Sequence, residues 1–242
     1  MEPEEYARTA RAEESHFWFR ELRWILGGLE KSPLSATFLR ALDAGCGTGG
    51  NLRVLQGRYR AIGIDLSPIA LKIARTKTAA PLARASVLDL PFGAESFDLV
   101  LSADVIYHRD VTDDVAALRE LRRVLKPGGT LLVNVPAFEG LRSAHDRAVH
   151  TARRYNRAML RDRLIAAGLL PVRVIYWNSL LLPAAALVRL VRRSDSGGSD
   201  IISFPAPLNA ILSAVARVDA ALALSGLMPA GLSVAAAARR EP

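Results

Sequence analysis

Residues 40–50 read RALDAGCGTGG, and that stretch decides the fold. A short apolar run from Arg40 ends at Asp43, and the glycines Gly45, Gly47, Gly49 and Gly50 follow. Asn51-Leu-Arg-Val-Leu55 then resumes helical spacing, which reads as strand, glycine turn, helix. Downstream, YRAIGID (59–65) is the next strand, and Ser67-Pro68 opens a helix with an N-cap and a proline at its first position. A third strand is expected from Ala83 to Leu88, ending at Asp89, and a fourth is FDLVLS (97–102). The spacing predicts a helix from Val111 to Leu125, stopped by Pro127-Gly128-Gly129, and then the strand TLLVNV (130–135). Strands alternating with helices through residue 135 mean parallel βαβ units and a doubly wound, Rossmann-like α/β sheet.

The flanks are less regular. Residues 1–32 carry aromatics and charge in helical spacing until Ser32-Pro33 breaks the pattern, and we expect an N-terminal helical cap there. Residues 33–242 are then the main domain, with insertions at 137–170 and 178–230. Arg142–Ala167 reads as a basic helical region closed by Gly168, and Val172–Trp177 as a strand. Asn178–Arg193 and Leu208–Leu224 read as apolar helices around a loop at 194–207, and Leu232–Arg239 as a final strand.

Half of the 242 residues are hydrophobic and 23% are charged, which excludes a disordered chain. The net charge is +8, but only four of the 32 basic residues are lysines. An Ala- and Arg-rich, Lys-poor chain is what a GC-rich genome writes, so the charge is weak evidence for nucleic acid. It favours an anionic substrate or membrane surface somewhat. A single cysteine, Cys46, excludes a disulfide framework. Met1-Glu-Pro-Glu-Glu5 lacks the pattern of a signal peptide. The apolar stretch from Leu169 to Val191 is interrupted by Arg173, Asn178, Pro183 and Arg189, and reads as strand then helix rather than a span. The expected location is cytoplasmic, with membrane association left open.

Glycines let a backbone approach a ligand closely, and the helix after them offers free N–H groups. Asp65, at the end of the next strand, is placed to accept from two ribose hydroxyls. Gly45-x-Gly47-x-x-Gly50 also fits a nicotinamide-dinucleotide turn. Against that, Asp43 stands two residues before the first glycine, where such folds carry an apolar residue or glycine. Asp89 ends the expected third strand, and Lys126-Pro-Gly-Gly129 precedes the fifth.

With those features, LDAGCGTG (42–49), GIDLSP (63–68), Leu88-Asp-Leu-Pro-Phe92, SFDLVLSADVIYH (96–108) and LRRVLKPGGTLLVNVP (121–136) resemble the class I S-adenosylmethionine-dependent methyltransferases. The likeness is to the small-molecule branch that includes quinone-biosynthesis enzymes, and it covers about 40–136. It implies a seven-stranded, mostly parallel sheet with an antiparallel last strand, and S-adenosylmethionine as cofactor. It implies that Asp43, Gly45, Gly47 and Gly49 face the methionine part and that Asp65 takes the ribose. Leu66 would pack on adenine, Asp89 and the Leu88 backbone would meet the adenine edge, and Ser102 would lie beside the sulfonium.

Methyl transfer from a sulfonium is an in-line displacement that needs positioning, exclusion of water and sometimes a base. The loop Ala103-Asp-Val-Ile-Tyr-His108 lacks the Asn/Asp-Pro-Pro-Tyr-type motif of amino-methylating DNA enzymes and a Pro-Cys nucleophile, so no nucleic-acid acceptor is expected. Candidate bases are His108, His145 and His150. The five-residue spacing of His145 and His150 fits metal ligation poorly, and no metal is expected. Tyr107, Arg154, Tyr155 and His16 are the candidate acceptor-lining residues, with Arg20 or Arg23 available to a carboxylate. The apolar helices at 178–227 can wall a hydrophobic pocket, dock on a membrane surface or form a homodimer face.

The expected function is methyl transfer to a small, hydrophobic bacterial metabolite at oxygen or carbon. The rivals are a nicotinamide oxidoreductase, for which no Tyr-Lys proton-donor pair is found, and a cofactor-binding, non-catalytic membrane or partner module.

Overall fold

The computed structural model describes residues 1–30, 39–191 and 204–241. The Ser32-Pro33 break, the ends of the 178–193 helix at Arg192 and Arg193, and most of the 194–207 loop lie outside them. Seven strands form one sheet: β1 (Arg40–Ala44), β2 (Arg60–Asp65), β3 (Leu82–Arg84), β4 (Phe97–Ala103), β5 (Leu125–Pro136), β6 (Leu170–Trp177) and β7 (Ser233–Arg239). Their spatial order is β3-β2-β1-β4-β5-β7-β6. The first five pair in parallel, whereas β7 runs antiparallel between β5 and β6. The chain reverses its outward progression at β1 and β4, and the crevice beyond the strand ends there is where this topology places ligands.

The helices are α1 (Pro3–Ala12), α2 (Phe17–Leu29), α3 (Gly50–Leu55), α4 (Pro68–Ala74), α5 (Asp114–Val124), α6 (Ala144–Ala148), α7 (Arg157–Ala166), α8 (Leu182–Val191) and α9 (Ala206–Ser225). The Ser67-Pro68 signal works as read: the Ser67 hydroxyl accepts from the Ala70 amide at 3.3 Å. Asp113 caps α5 through the amides of Val115 and Ala116, both at 2.9 Å.

Four expectations are corrected. The third strand is only Leu82–Arg84, and Ser86 to Asp89 form a tight turn closed by the Asp89 amide on the Ser86 carbonyl. The fifth strand starts at Leu125 directly after α5 and carries Pro127-Gly128-Gly129 within it. The N-terminal region is two helices, because His16 leaves α1 and caps α2 by accepting from the Trp18 amide. The basic region 142–167 is broken in the middle. Residues 149–156 leave the helix because Thr151 bridges to His108 and Tyr155 to Ala137, so backbone pairing wins over helical spacing.

Two apolar layers flank the sheet. One joins Leu118, Leu121, Val133, Tyr155, Leu160 and Leu164 under α5 and α7. The other joins Leu22, Ile25, Leu52, Leu99, Trp177 and Ala220 under α2 and α9. In β7 the run of alanines overrides helix propensity because both faces of the strand are buried between β5 and β6.

Candidate cofactor pocket and its acceptor mouth

The glycine turn leaves β1 with Gly45 at φ +91°, Gly47 at +52° and Gly49 at +91°, backbone values that L side chains rarely adopt. A Cβ on Gly45 would come within 2.2 Å of Val105, so the turn and the loop after β4 are in close contact. A Cβ on Gly47 would meet nothing within 4 Å, because that glycine borders open space. The space is a cavity of about 480 Å³ at the switch point of the sheet. Asp65 stands on its wall and accepts from the Gly47 amide at 2.9 Å and the Ser67 amide at 2.8 Å. It ties the glycine turn to the start of α4, and burial pushes its pKa up.

Of the expected cofactor residues, Gly45, Gly47, Asp65 and Leu66 line the cavity. Asp43 and Ser102 lie one layer beneath, 1% and 0% exposed. Asp43 Oδ2 and Ser102 Oγ have no hydrogen-bond partner there. Burial, reinforced by the charges of Asp65 and Glu13, pushes the Asp43 pKa up to about 8. Gly49 packs against Ala74 rather than on the wall. Leu88 and Asp89 are off the wall, and Asp89 is exposed; the cavity at that point is bounded by Ala85, Ser86 and Val87. The shortening of β3 turns the chain before Asp89 can reach inward.

The N-terminal helices make another wall, with Tyr6, Thr9 and Glu13 from the first and Phe19, Leu22 and Arg23 from the second. The sequence reading missed Glu13. It accepts from the Thr48 hydroxyl at 2.8 Å and pairs with Lys77, clamping α1 to the glycine turn. Its sequence signal is slight, since it is one of several acids in an acidic stretch. Arg23 donates to the Glu13 carbonyl at 2.7 Å, and burial pulls its pKa down.

Of the expected acceptor-side residues, Tyr107, His108 and His150 line the cavity, at what we term its mouth. The two imidazoles are 5.6 Å apart, and the Arg109 amide holds the loops together by donating to the His150 carbonyl. His108 Nδ1 accepts from the Asp110 amide at 3.2 Å. Burial first, and the Met1 amine second, push His108 down to about 4. His150 Nε2 meets the Glu2 carboxylate at 2.8 Å and so carries the ring proton, which leaves Nδ1 to accept. The Met1 amine lies 3.2 Å from His108 Nε2 and 3.0 Å from His150 Nδ1.

Four predicted residues lie away from the cavity. Arg154, 7% exposed, holds Asp146 through two nitrogens at 2.9 and 3.1 Å and donates to the Ala137 carbonyl. Tyr155 donates to Asp114 at 2.8 Å inside the core. His16 stacks on Phe17 and lies beside Phe204. His145 sits on α6, off the cavity wall. None of the described residues in 178–230 lines the cavity; α9 packs on α2 and β6 instead. Among the described residues, no group of three or more His, Cys, Asp or Glu side chains could hold a metal ion.

The doubly wound order with β7 reversed, the glycine turn against the loop after β4 and Asp65 at the end of β2 are together those of the class I S-adenosylmethionine-dependent methyltransferase fold. Residues 42–133 match a family model described as a methyltransferase domain, and the chain carries such a domain. Over 127 residues it is 32% identical to "Probable tRNA methyltransferase 9B" of Bos taurus, covering 52% of this chain and 27% of that protein. Over 113 residues it is 38% identical to 2-methyl-6-phytyl-1,4-hydroquinone methyltransferase of a Synechocystis strain, covering 44% and 34%. The chain thus spans about a third or less of the length of these two relatives. In structure it is similar to the complex of the Haloferax volcanii Trm112 methyltransferase activator with a methyltransferase. There the TM-score is 0.64 at 22% identity, over 99% of this chain and 96% of that one. Other solved structures of this fold hold S-adenosylmethionine.

The residues fit that cofactor. The cavity offers the carboxylates of Asp65 and Asp104 on its wall for positive charge and a glycine-bordered surface for close approach, with the orphaned Asp43 Oδ2 and Ser102 Oγ one layer beneath.

Proposed function

We propose that the protein transfers a methyl group from S-adenosylmethionine to a small, hydrophobic acceptor seated at the mouth beside Tyr107, His108 and His150. The observation that carries this reading is the cavity at the glycine turn, with Asp65 on its wall and unpaired Asp43 beneath. The cofactor supplies an electrophilic methyl group on a sulfonium. The chain's own residues supply position. Leu66, Ile69, Val87, Val105 and Tyr107 give the cavity an apolar lining that excludes water, and a volume of about 480 Å³ leaves room for only a small acceptor beside a nucleoside cofactor. Where the acceptor is a hydroxyl that displaces the Met1 amine from His150 Nδ1, that nitrogen takes its proton, and Glu2 steadies the resulting imidazolium through Nε2. A carboxylate acceptor needs no base.

Thermal unfolding with S-adenosylmethionine, S-adenosylhomocysteine and NADH tests the reading on the wild type and on Asp65→Ala. A ligand at 100 times its Kd adds about 2.7 kcal/mol. Stabilisation by the two sulfur ligands, lost in the variant, is expected. A shift with NADH alone would show an oxidoreductase. No shift with any of the three would overturn the cofactor assignment.

An RNA acceptor is the second reading. It is supported by the net charge of +8 and by relatives named for tRNA, and it weakens the motif-based argument against nucleic acid. Transfer of labelled methyl to total tRNA, but not to a panel of phenols, quinols and carboxylic acids, would establish it.

A further inference from the structure

Asp104, which the sequence reading did not single out, lies on the cavity wall in the loop after β4. Its neighbour Val105 abuts Gly45, while Tyr107 and His108 stand at the mouth. The backbone there is left-handed, with φ +62° at a residue other than glycine, a conformation that persists where surrounding contacts impose it. Those contacts are explicit. The Asp104 amide donates to the Asn134 carbonyl at 2.9 Å, and Asp104 Oδ1 accepts from Asn134 Nδ2 at 3.1 Å. Asn134 Oδ1 in turn accepts from Trp177 Nε1 at 2.8 Å. An indole N–H only donates, so it fixes the orientation of the Asn134 amide, and that amide then holds one oxygen of Asp104. Asn134 and Trp177 are wholly buried, so the relay is rigid.

Among the described residues no Arg, Lys or His forms an ion pair with Asp104. A carboxylate withdrawn from water without a counter-charge is costly. Burial pushes its pKa up to about 7. A cation entering the cavity would relieve that cost. Ser102, the residue expected beside the sulfonium, is wholly buried and does not line the wall.

We propose that Asp104, held by the Asn134–Trp177 relay, is the residue that senses the positive charge of the cofactor's sulfonium and so distinguishes S-adenosylmethionine from S-adenosylhomocysteine. The inference rests on the cofactor reading above and assigns it a specificity-determining residue. The two cofactor forms share the α-ammonium and carboxylate and differ in the charged methyl-sulfonium, so their relative affinity isolates this contact.

The test is calorimetric titration of wild type, Asp104→Asn and Asn134→Ser with S-adenosylmethionine, S-adenosylhomocysteine and sinefungin, which carries an amine where the sulfonium methyl stands. In Asp104→Asn the ratio Kd(S-adenosylmethionine)/Kd(S-adenosylhomocysteine) should rise about tenfold, with sinefungin weakened alongside S-adenosylmethionine. Unchanged binding of S-adenosylhomocysteine certifies the fold. Asn134→Ser should move the ratio the same way by a smaller factor, and it carries the test should Asp104→Asn not fold. Equal weakening of all three ligands, or an unchanged ratio, overturns the assignment while leaving the cofactor reading intact. Wild type binding none of the three overturns both.

Discussion

At the scale of single residues, the two histidines at the mouth have unequal prospects although they stand 5.6 Å apart. His108 accepts a backbone amide at Nδ1 and is held down to about 4, so at pH 7 it is a neutral ring, with the Met1 amine against Nε2. His150 has a carboxylate behind Nε2, and its Nδ1 faces the Met1 amine at 3.0 Å, which an acceptor hydroxyl has to displace. On a hydroxyl acceptor, His150→Ala should lower kcat by about 10²-fold or more, the usual range for a lost base. His108→Ala should cost less. Steady-state rates with an acceptor found by the methyl-transfer panel check this, and both variants turning over like wild type would exclude a histidine base. Imidazole ¹⁵N shifts should show His108 titrating near 4. Its folded pKa lies below the unfolded 6.5, so it lowers stability as pH falls from about 6.5 to 4 and contributes nothing above that window. Arg154 has a different task. With Asp146 it forms an ion pair in which both side chains are 4% exposed, and Arg154→Met leaves that carboxylate buried alone. Urea unfolding should show a loss of about 3–5 kcal/mol.

At the scale of elements, the seam between α2 and α9 is set by two buried acids. Glu21 accepts from the Asn178 amide at 3.2 Å, and Asp219 accepts from the amides of Ser179 and Leu180 at 2.7 Å. Burial and the neighbouring Asp219 push Glu21 up to about 10, so it is protonated at pH 7 and donates to Asp219. The folded state therefore holds a proton that the unfolded chain releases above about 4.5. Stability from this group is full below that pH and is lost as pH rises towards 10. Glu21→Gln mimics the protonated acid. The variant should melt close to wild type at pH 5 and several degrees higher at pH 9; parallel melting curves across that range would exclude the shared proton. Nothing in the sequence marks this pair, because Glu21 and Asp219 are 198 positions apart and each sits in ordinary helical spacing. The β1 turn and the Ser67-Pro68 cap are local signals, and they were legible for that reason. The end of β3 was not, since Ser86–Asp89 folds back on itself through one backbone hydrogen bond that no periodicity announces. Arg154 and Tyr155 looked like pocket residues because Arg and Tyr are common there. Their partners, Asp146 and Asp114, become visible only once residues 149–156 are seen to run extended along the loop after β4 and the end of β5.

For the molecule as a whole, the cavity and the apolar surplus are at separate places. The cavity draws on both N-terminal helices, the glycine turn and the β4 loop, whereas α9 contributes nothing to it. That helix is twenty residues long and apolar enough to cross a membrane by length and composition, yet it packs on α2 with Ser213, Ala216, Asp219, Ala220 and Ala223 and leaves Ile211 and Val218 exposed. Ile211 is 62% exposed, so Ile211→Glu should change folding stability by less than about 0.5 kcal/mol in denaturant titration. A larger loss would mean that α9 is covered in solution.

The tethering of α1 also bears on time rather than affinity. Glu13 is fastened to Thr48 and Lys77 at one end of that helix, and Glu2 to His150 and the Ala148 carbonyl at the other. A ligand seated behind such a wall exchanges only as often as the wall swings away. Residence of spent S-adenosylhomocysteine would then be set by the undocking of ten residues of helix, and turnover could be capped by release while the chemistry itself stays fast. Stopped-flow mixing should find it both entering and leaving Glu13→Ala sooner than wild type, with Kd little changed.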